Sequence, residues 1–411
     1  MSAHLQNSYR RSSALGRALL RRSNKNAYRS MSTFPRRPYT FHIGASWAGK
    51  PTSGNEMKKI PFPGDSPIGI WRDQMLSRTV PGAIPNEATK WAPDAGEDFF
   101  YVTEVCRDYF SFSREHDKIF SRTDEKFLCK SPIEMNLRVA DLYSFKGVSF
   151  GVADGVGGWV ESGVDPSLFS QAFMYHAHRY SRNAWAGEPE IDPTLDYAER
   201  EEVEGWELTP LESMALSYHG VLREKHVQAG SSTACLIHMN ASSGLLRAAN
   251  LGDSGFMVVR SSSVIHKQRV QTHYFNCPKQ LTKLPTNSTR RFKRACVDSP
   301  GEADTYETTL RDGDIVVAYT DGLGDNVFPD EIATITSLVG RAGLPEDVQV
   351  QAMADRMANY ARLCMLNKGR RSPFESEAAR QGMFFQGGVS FLQPLRGSTY
   401  SWNALIQKLD E

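Results

Sequence analysis

The chain has 411 residues, 40% apolar and 23% charged, which fits soluble globular material and leaves room for one large domain with insertions or for two or three smaller ones. Its net charge of +1 hides an asymmetry: residues 1–55 hold ten Lys or Arg and no acid, leaving 38 basic against 47 acidic residues, a net of −9, over the remainder. No segment offers the ~20 consecutive apolar residues of a membrane span. The six cysteines show neither a CxxC pair nor zinc spacing, which predicts dispersed, reduced thiols.

Residues 1–40 are rich in Arg and Ser, lack acids, and include an amphipathic stretch, SALGRALLRR, from Ser13 to Arg22. That composition favours a mitochondrial transit peptide over a nucleic-acid-binding arm or plain disorder, and the missing apolar core argues against a secretory signal. Residues 41–90 are dense in Gly, Pro and Ser and read as a linker or loosely packed extension. A domain is expected over 91–411.

That domain opens with Gly96-Glu97-Asp98, two acids at the entrance to the aromatic run Phe99–Val102. Residues 107–138 are charged and irregular and read as an insertion. The run Val148–Ala153 is a strand that delivers Asp154 into a loop with glycines at 155, 157 and 158. Without Cβ atoms, such a loop can turn a backbone carbonyl toward the space the carboxylate faces, and hard cations take oxygens of both kinds.

Asp165-Pro166 caps a helix with Phe169, Ala172, Phe173, His176 and Tyr180 on one face, and a second helix follows Pro210. His176 and His178 are two apart and point to different sides, so His176 is read as a packed core residue. Residues 185–210 are acidic and read as a solvated surface insertion. Gly230–Thr233 opens an alternating strand to His238, and LLRAANLGDSGFMVVR reads as two strands joined through Asn250–Gly255, an antiparallel hairpin signal.

The basic run Arg290–Arg294 lacks an aromatic stacking platform and is read as a solvated loop, so no nucleic-acid partner is expected. Ile315–Tyr319 is a second buried strand ending in an acid and glycine turn, Thr320-Asp321-Gly322-Leu323-Gly324-Asp325-Asn326. Helices are expected from Pro329 and from Pro345, the latter packing Val350, Met353, Ala354, Met357, Ala361 and Cys364. The acids at Glu97-Asp98, Asp154 and Asp321 thus sit at strand boundaries far apart in the chain. A sheet assembly with its loops at one end would gather them, and clustered carboxylates repel one another unless divalent cations neutralise them. Two metals about 3.5–4 Å apart would also activate a bridging water for attack on phosphorus.

The order GED, GVADGVGGW, GSST, NLGDSG, YTDGLGDNV closely resembles the metal-dependent protein phosphatase 2C (PPM) family, over roughly residues 90–388. The DGVGGW form, together with the leader, is similar to its mitochondrial branch. The resemblance implies an α+β fold, an αββα sandwich of two antiparallel β-sheets flanked by helices, and two Mn2+ or Mg2+ ions at one end. It implies hydrolysis of phosphoserine and phosphothreonine in proteins by a metal-bridging water, and a monomer without a transmembrane span. For the mitochondrial branch it further implies matrix or membrane-associated substrates, some linked to metabolism and ubiquinone biosynthesis.

By the same resemblance, Asp154 bridges both metals beside the Gly155 carbonyl, Glu97 or Asp98 binds a metal directly or through water, and Asp321 completes the shell of the second metal; Asp154, Asp98 and Asp321 are the catalytic candidates. Asp253 matches a residue near an additional, weaker metal position, or is a turn acid. The chain departs from the family in three places. Val156 stands where a His is common, and Lys90 is the nearest cation to the first acidic pair. The family's terminal metal-ligand Asp has no counterpart after Gln386-Gly387-Gly388, where the sequence runs Val389-Ser390-Phe391 with no acid before Asp410. A tail substituted after Gly388, as in an altered splice product, is expected to weaken one metal site, to lack the last core strand, and to leave an impaired phosphatase or a phosphatase-fold binding protein as the alternative.

Overall fold

A computed structural model describes residues 39–48, 61–78, 95–106, 145–181, 208–241, 243–286, 295–387 and 402–410. The leader, Lys90, the insertion at 107–138, most of the acidic stretch at 185–210 and the basic run at 290–294 lie outside these residues. In chain order the strands are Thr40–Ala48 (β1), Phe99–Cys106 (β2), Phe145–Ala153 (β3), Gly230–Ser232 (β4), Ala234–Asn240 (β5), Leu245–Leu251 (β6) and Gly255–Arg260 (β7). They continue with Ser263–Lys267 (β8), Thr272–Tyr274 (β9), Cys277–Pro278 (β10), Leu281–Lys283 (β11), Asp304–Thr309 (β12), Ile315–Tyr319 (β13) and Trp402–Asp410 (β14). The helices are Pro67–Arg78 (α1), Pro166–Ser181 (α2), Pro210–Arg223 (α3), the single turn Asp321–Gly324 (α4), Pro329–Gly340 (α5), Glu346–Leu366 (α6) and Pro373–Arg380 (α7).

Two five-stranded sheets carry the fold, one in the order β12-β6-β5-β3-β2 and the other in the order β1-β14-β13-β7-β8, with every pairing antiparallel. Period-two alternation sorts their side chains into layers. Val148, Phe150 and Val152 of β3 and Cys235, Ile237 and Met239 of β5 meet Phe256 and Val258 of β7 and Val316 and Ala318 of β13 in the core between the sheets. The opposite face of the first sheet, with Tyr101, Ala153 and Leu236, packs under Trp71 of α1, Phe169 and Phe173 of α2 and Met214 of α3. Met257, Val317 and Tyr319 on the outer face of the second sheet pack under Ile332 of α5 and Met353 and Met357 of α6. The result is the four-layered αββα sandwich.

Helix starts follow local chemistry. Thr209 and Glu212 form a reciprocal capping box at the start of α3, with Pro210 at the first helical position. His176 is buried and its Nε2 meets Glu224 Oε1 at 2.9 Å, as suits a packed core residue rather than a metal ligand.

Three sequence expectations are corrected. Thr40–Ala48 and Pro67–Arg78, placed within a linker by their Gly and Pro surroundings, are β1 and α1; Phe62, Ile68, Trp71 and Met75 are buried in the core. A few large apolar residues anchor that segment despite its weak periodicity. The segment between β6 and β7 is no hairpin turn, because β6 belongs to one sheet and β7 to the other. Finally, the tail does supply a strand: β14 lies between β1 and β13, pairing Tyr319 with Ala404 and Ala48 with Trp402. The run WNALIQKL satisfies the backbone partners that both neighbours would otherwise leave open.

At the end of the sandwich away from the β7 start, Arg260 Nε and Nη2 donate to Asp314 Oδ1 and Oδ2 at 2.7 and 2.6 Å, and the Asp314 side chain has no exposed surface. Arg260→Ala would strand that carboxylate with only the Arg311 backbone N–H. Urea unfolding of the variant is expected to show a loss of about 3 kcal/mol.

Candidate metal centre

All the strand ends that carry the candidate acids fall at one end of the sandwich. Phe99 at the start of β2 faces Ala153 at the end of β3, Val152 faces Cys235 near the start of β5, and Ala234 faces Leu251 at the end of β6. In the other sheet, Gly255 at the start of β7 faces Tyr319 at the end of β13, which faces Ala404 near the start of β14. Glu97 and Asp98 therefore enter this end before β2, Asp154 leaves β3 there, Asp253 lies where the chain crosses between sheets, and Asp321 opens α4.

Glu97, Asp98, Asp154 and Asp321 are all buried. The Asp154 carboxyl lies within electrostatic reach of those of Asp98 and Asp321. Burial, then the charges of Asp321, Asp98 and Asp253, push Asp154 well above the usual carboxylate range. Asp321 is raised in the same way by burial and by Asp253, Asp325 and Asp98. Burial and Asp98 bring Asp253 up to about 6, and burial and Asp253 bring Asp325 up to about 8. Lys267 on β8 lies within electrostatic reach of Asp325 and partly offsets that rise.

Backbone clamps hold the acids in place. Gly155 N–H donates to the Glu97 carbonyl at 3.2 Å, and Thr320 Oγ1 donates to Asp98 Oδ2 at 2.8 Å, tying the two sheets together at the site. A Cβ on Gly155 would come within 2.6 Å of the Glu97 carbonyl oxygen and 2.7 Å of that of Pro166, so only glycine fits after Asp154. Thr233 of the GSST run donates its N–H to the Asp154 carbonyl and accepts from the Asp154 N–H through Oγ1, at 3.0 and 3.1 Å. Trp159 Nε1 donates to Ser231 Oγ at 2.7 Å, and Ser231 Oγ donates to Gln280 Oε1 at 2.5 Å. The tryptophan of the DGVGGW run thus anchors the glycine loop to β4.

The structure brings Asp98, Asp154, Asp253 and Asp321 together and places Glu97 and Gly155 against them through the backbone. Sequence reasoning passed over Asp325, four residues after Asp321 within the same glycine turn, and the clamping hydroxyls of Ser231, Thr233 and Thr320. The spacing from Asp321 to Asp325, one helical turn, was the available signal for the first.

The donor set is entirely oxygen, as hard divalent cations require. One carboxyl oxygen each of Asp253 and Asp321 is buried without a hydrogen-bond partner, and the raised pKa values of the neighbouring acids mark a site where a compensating positive charge would be welcome. Among the described residues no three His, Cys, Asp or Glu side chains form a ready-made ligand group. The residues fit such a group by chemistry and by place.

These raised pKa values fix a sign. An unfolded aspartate titrates near 3.8, whereas Asp253 and Asp325 hold their protons to about 6 and 8 in the fold. Their contribution to stability is complete below the unfolded value and is lost as pH rises through the folded values. The melting temperature of the chelator-treated chain is expected to fall between pH 5 and 8.5. Calorimetry with added Mn2+ should restore it, more at pH 8 than at pH 5.

A sandwich of two antiparallel sheets under helices, with acids gathered at one end, defines the phosphatase 2C type of fold. The photosystem II phosphatase PBCP shares it, with a TM-score of 0.51 at 19% identity over 90% of this chain and 98% of that one. The chain is 30% identical over 315 residues to the human protein phosphatase PTC7 homolog, covering 77% of this chain and 92% of that protein. It is 35% identical over 238 residues to the PTC7 homolog fig of Drosophila willistoni, covering 58% and 68%, respectively. No protein-family model matches it. The chain belongs to the protein phosphatase 2C (PPM) family, among relatives named as PTC7 protein phosphatases.

Proposed function

We propose that this protein is a metal-dependent phosphatase acting on phosphoserine and phosphothreonine in mitochondrial proteins. The observation that carries the reading is the set of buried aspartates at one end of the sandwich, whose charges repel and whose protons are held above their ordinary range. Asp154, with the Gly155 carbonyl, Asp98 or Glu97, and Asp321 would hold Mn2+ or Mg2+, with Asp253 and Asp325 at their margin. When bound, such ions would supply neutralisation of the phosphate and activation of the attacking water.

The chain's own residues do the rest. Thr320 keeps one Asp98 oxygen engaged and fixes its orientation. Thr233 grips both backbone groups of Asp154, so that the carboxylate presented to the metals does not swing with the glycine loop. Val156 donates its N–H to the Ser231 carbonyl and brings no titratable group to this loop, so the departing alcohol takes its proton from solvent or from the acids.

The test is phosphate release from a phosphothreonine peptide by the full chain with millimolar Mn2+, compared with EDTA and with a phosphotyrosine peptide. Turnover that needs metal and favours phosphothreonine supports the reading; its absence sinks it. An impaired, phosphoprotein-binding role is the second reading, favoured by the site end of β14, where the sequence offers Trp402-Asn403 and no acid. Tight phosphopeptide binding without turnover would establish it. The acid-free leader supports mitochondrial import; residues 1–40 fused to a fluorescent reporter should label mitochondria, and diffuse label would remove that part of the proposal.

A further inference from the structure

The cysteines were expected to be dispersed, yet Cys277 Sγ and Cys296 Sγ lie 3.5 Å apart, both as free thiols. They stand nineteen positions apart in sequence. Cys277 sits on β10, paired with Tyr274 of β9 across an irregular register. Cys296 precedes a short segment that runs alongside β11, where Asp298 bridges Leu281.

The frame around the two thiols is closely tied. Thr282 Oγ1 donates to the Cys296 carbonyl at 2.7 Å, Gln280 N–H donates to Asp298 Oδ2 at 2.8 Å, and Asp298 N–H donates to the Gln280 carbonyl at 3.1 Å. His273 Nε2 also meets Asp298 Oδ2, at 2.9 Å, which engages that imidazole with a carboxylate. Among the described residues no third ligand joins the pair to make a metal site. A disulfide spans about 2.05 Å, so closing the gap takes about 1.5 Å, within reach of side-chain rotation at a bulged strand pair.

We propose that Cys277 and Cys296 form a reversible intramolecular disulfide, a modification site that staples the β9–β11 flap to the segment before β12. The oxidant is a peroxide. The Cys296 sulfur, the more exposed of the two, attacks one peroxide oxygen and becomes a sulfenic acid as water leaves; the Cys277 sulfur then attacks the sulfenic sulfur and expels a second water. Two thiols and one hydrogen peroxide become one disulfide and two waters, and each sulfur is oxidised by one electron equivalent. Burial, and then the neighbouring Cys277 thiol, push Cys296 up to about 11, which slows its attack on peroxide.

The staple matters because the flap is joined to the acid-lined end. Gln280, between the two cysteines in sequence, accepts from Ser231, which in turn seats Trp159. Closing the disulfide limits how far Gln280 can leave that position. This inference stands apart from the phosphatase reading, since it concerns the thiols and the stability of the flap whether or not the chain turns over phosphate.

The test uses the full chain, reduced or treated with excess hydrogen peroxide, then alkylated, denatured and digested with trypsin without reductant. The expected result is one cross-linked species joining residues 270–279 to residues 295–311, lighter by two hydrogens than the two peptides and separated by dithiothreitol. The oxidised chain should melt several degrees higher than the reduced one, and Cys296→Ser should abolish that gain while matching the reduced wild type. Both cysteines remaining fully alkylated after peroxide would overturn the proposal. So would Cys277 or Cys296 pairing instead with another cysteine, Cys296 stopping at a sulfinic acid, or a cross-link that leaves the melting temperature unchanged.

Discussion

Asp154→Asn is expected to lower metal-dependent phosphate release by about three orders of magnitude while leaving the metal-free fold as stable as the wild type or more so. The amide keeps the size of the carboxyl and one oxygen, so the grip of Thr233 on the backbone of residue 154 is undisturbed. It removes the group at the centre of the repulsion among Asp98, Asp253 and Asp321, whose charges stand against ionisation of Asp154. A residue whose charge disfavours the empty fold but is required once cations arrive should show opposite signs in the two assays. Thermal melts of the chelator-treated variant at pH 8 read the first sign, and steady-state phosphate release with Mn2+ reads the second. A variant that keeps its turnover would remove Asp154 from the site; one that loses turnover and also unfolds would make the residue structural.

That pairing of signs also explains which parts of the site could be read in the sequence. Asp154 and Asp321 announce themselves because each ends a short, fully apolar run and meets a glycine, a pattern a strand end produces and a helix does not. Glu97 and Asp98 are legible for the same reason at a strand start. Asp253 was found, but its surroundings were misread: a three-residue link between two strands is too short for a helical crossover, and sequence spacing alone does not separate a hairpin within one sheet from a step between two sheets. The step is what carries Asp253 to the end shared by both. β1 and α1 were hidden by the glycines and prolines around them, since their burial depends on a few large residues, Trp71 and Met75 among them, rather than on a sustained period. Asp325 went unclaimed because its one signal, the single-turn spacing from Asp321, was not followed; burial, and then the charge of Asp253, raise it to about 8.

The tail poses the sharpest case, because the strand and the ligand have come apart. β14 occupies a central place in its sheet, yet its only acid, Asp410, pairs with Thr40 at the end remote from the site. Eight residues of extended chain at about 3.3 Å each put it roughly 26 Å from Trp402. Asp410→Asn should therefore leave Mn2+ affinity unchanged. An acid at the near end should not: Ala404 faces Tyr319, two residues before Asp321, so positions 402 and 403 lie beside the α4 turn. Of Trp402→Asp and Asn403→Asp, one is expected to tighten Mn2+ binding by at least about tenfold in calorimetry, the scale on which groups merely supporting a metal ligand already act. Turnover should rise with it if the native chain is limited by an incomplete shell. If neither variant changes the affinity, the acids already present, Asp325 foremost by its place next to Asp321 and Asp253, complete the coordination without help from β14, and the impaired reading of this phosphatase loses its main support.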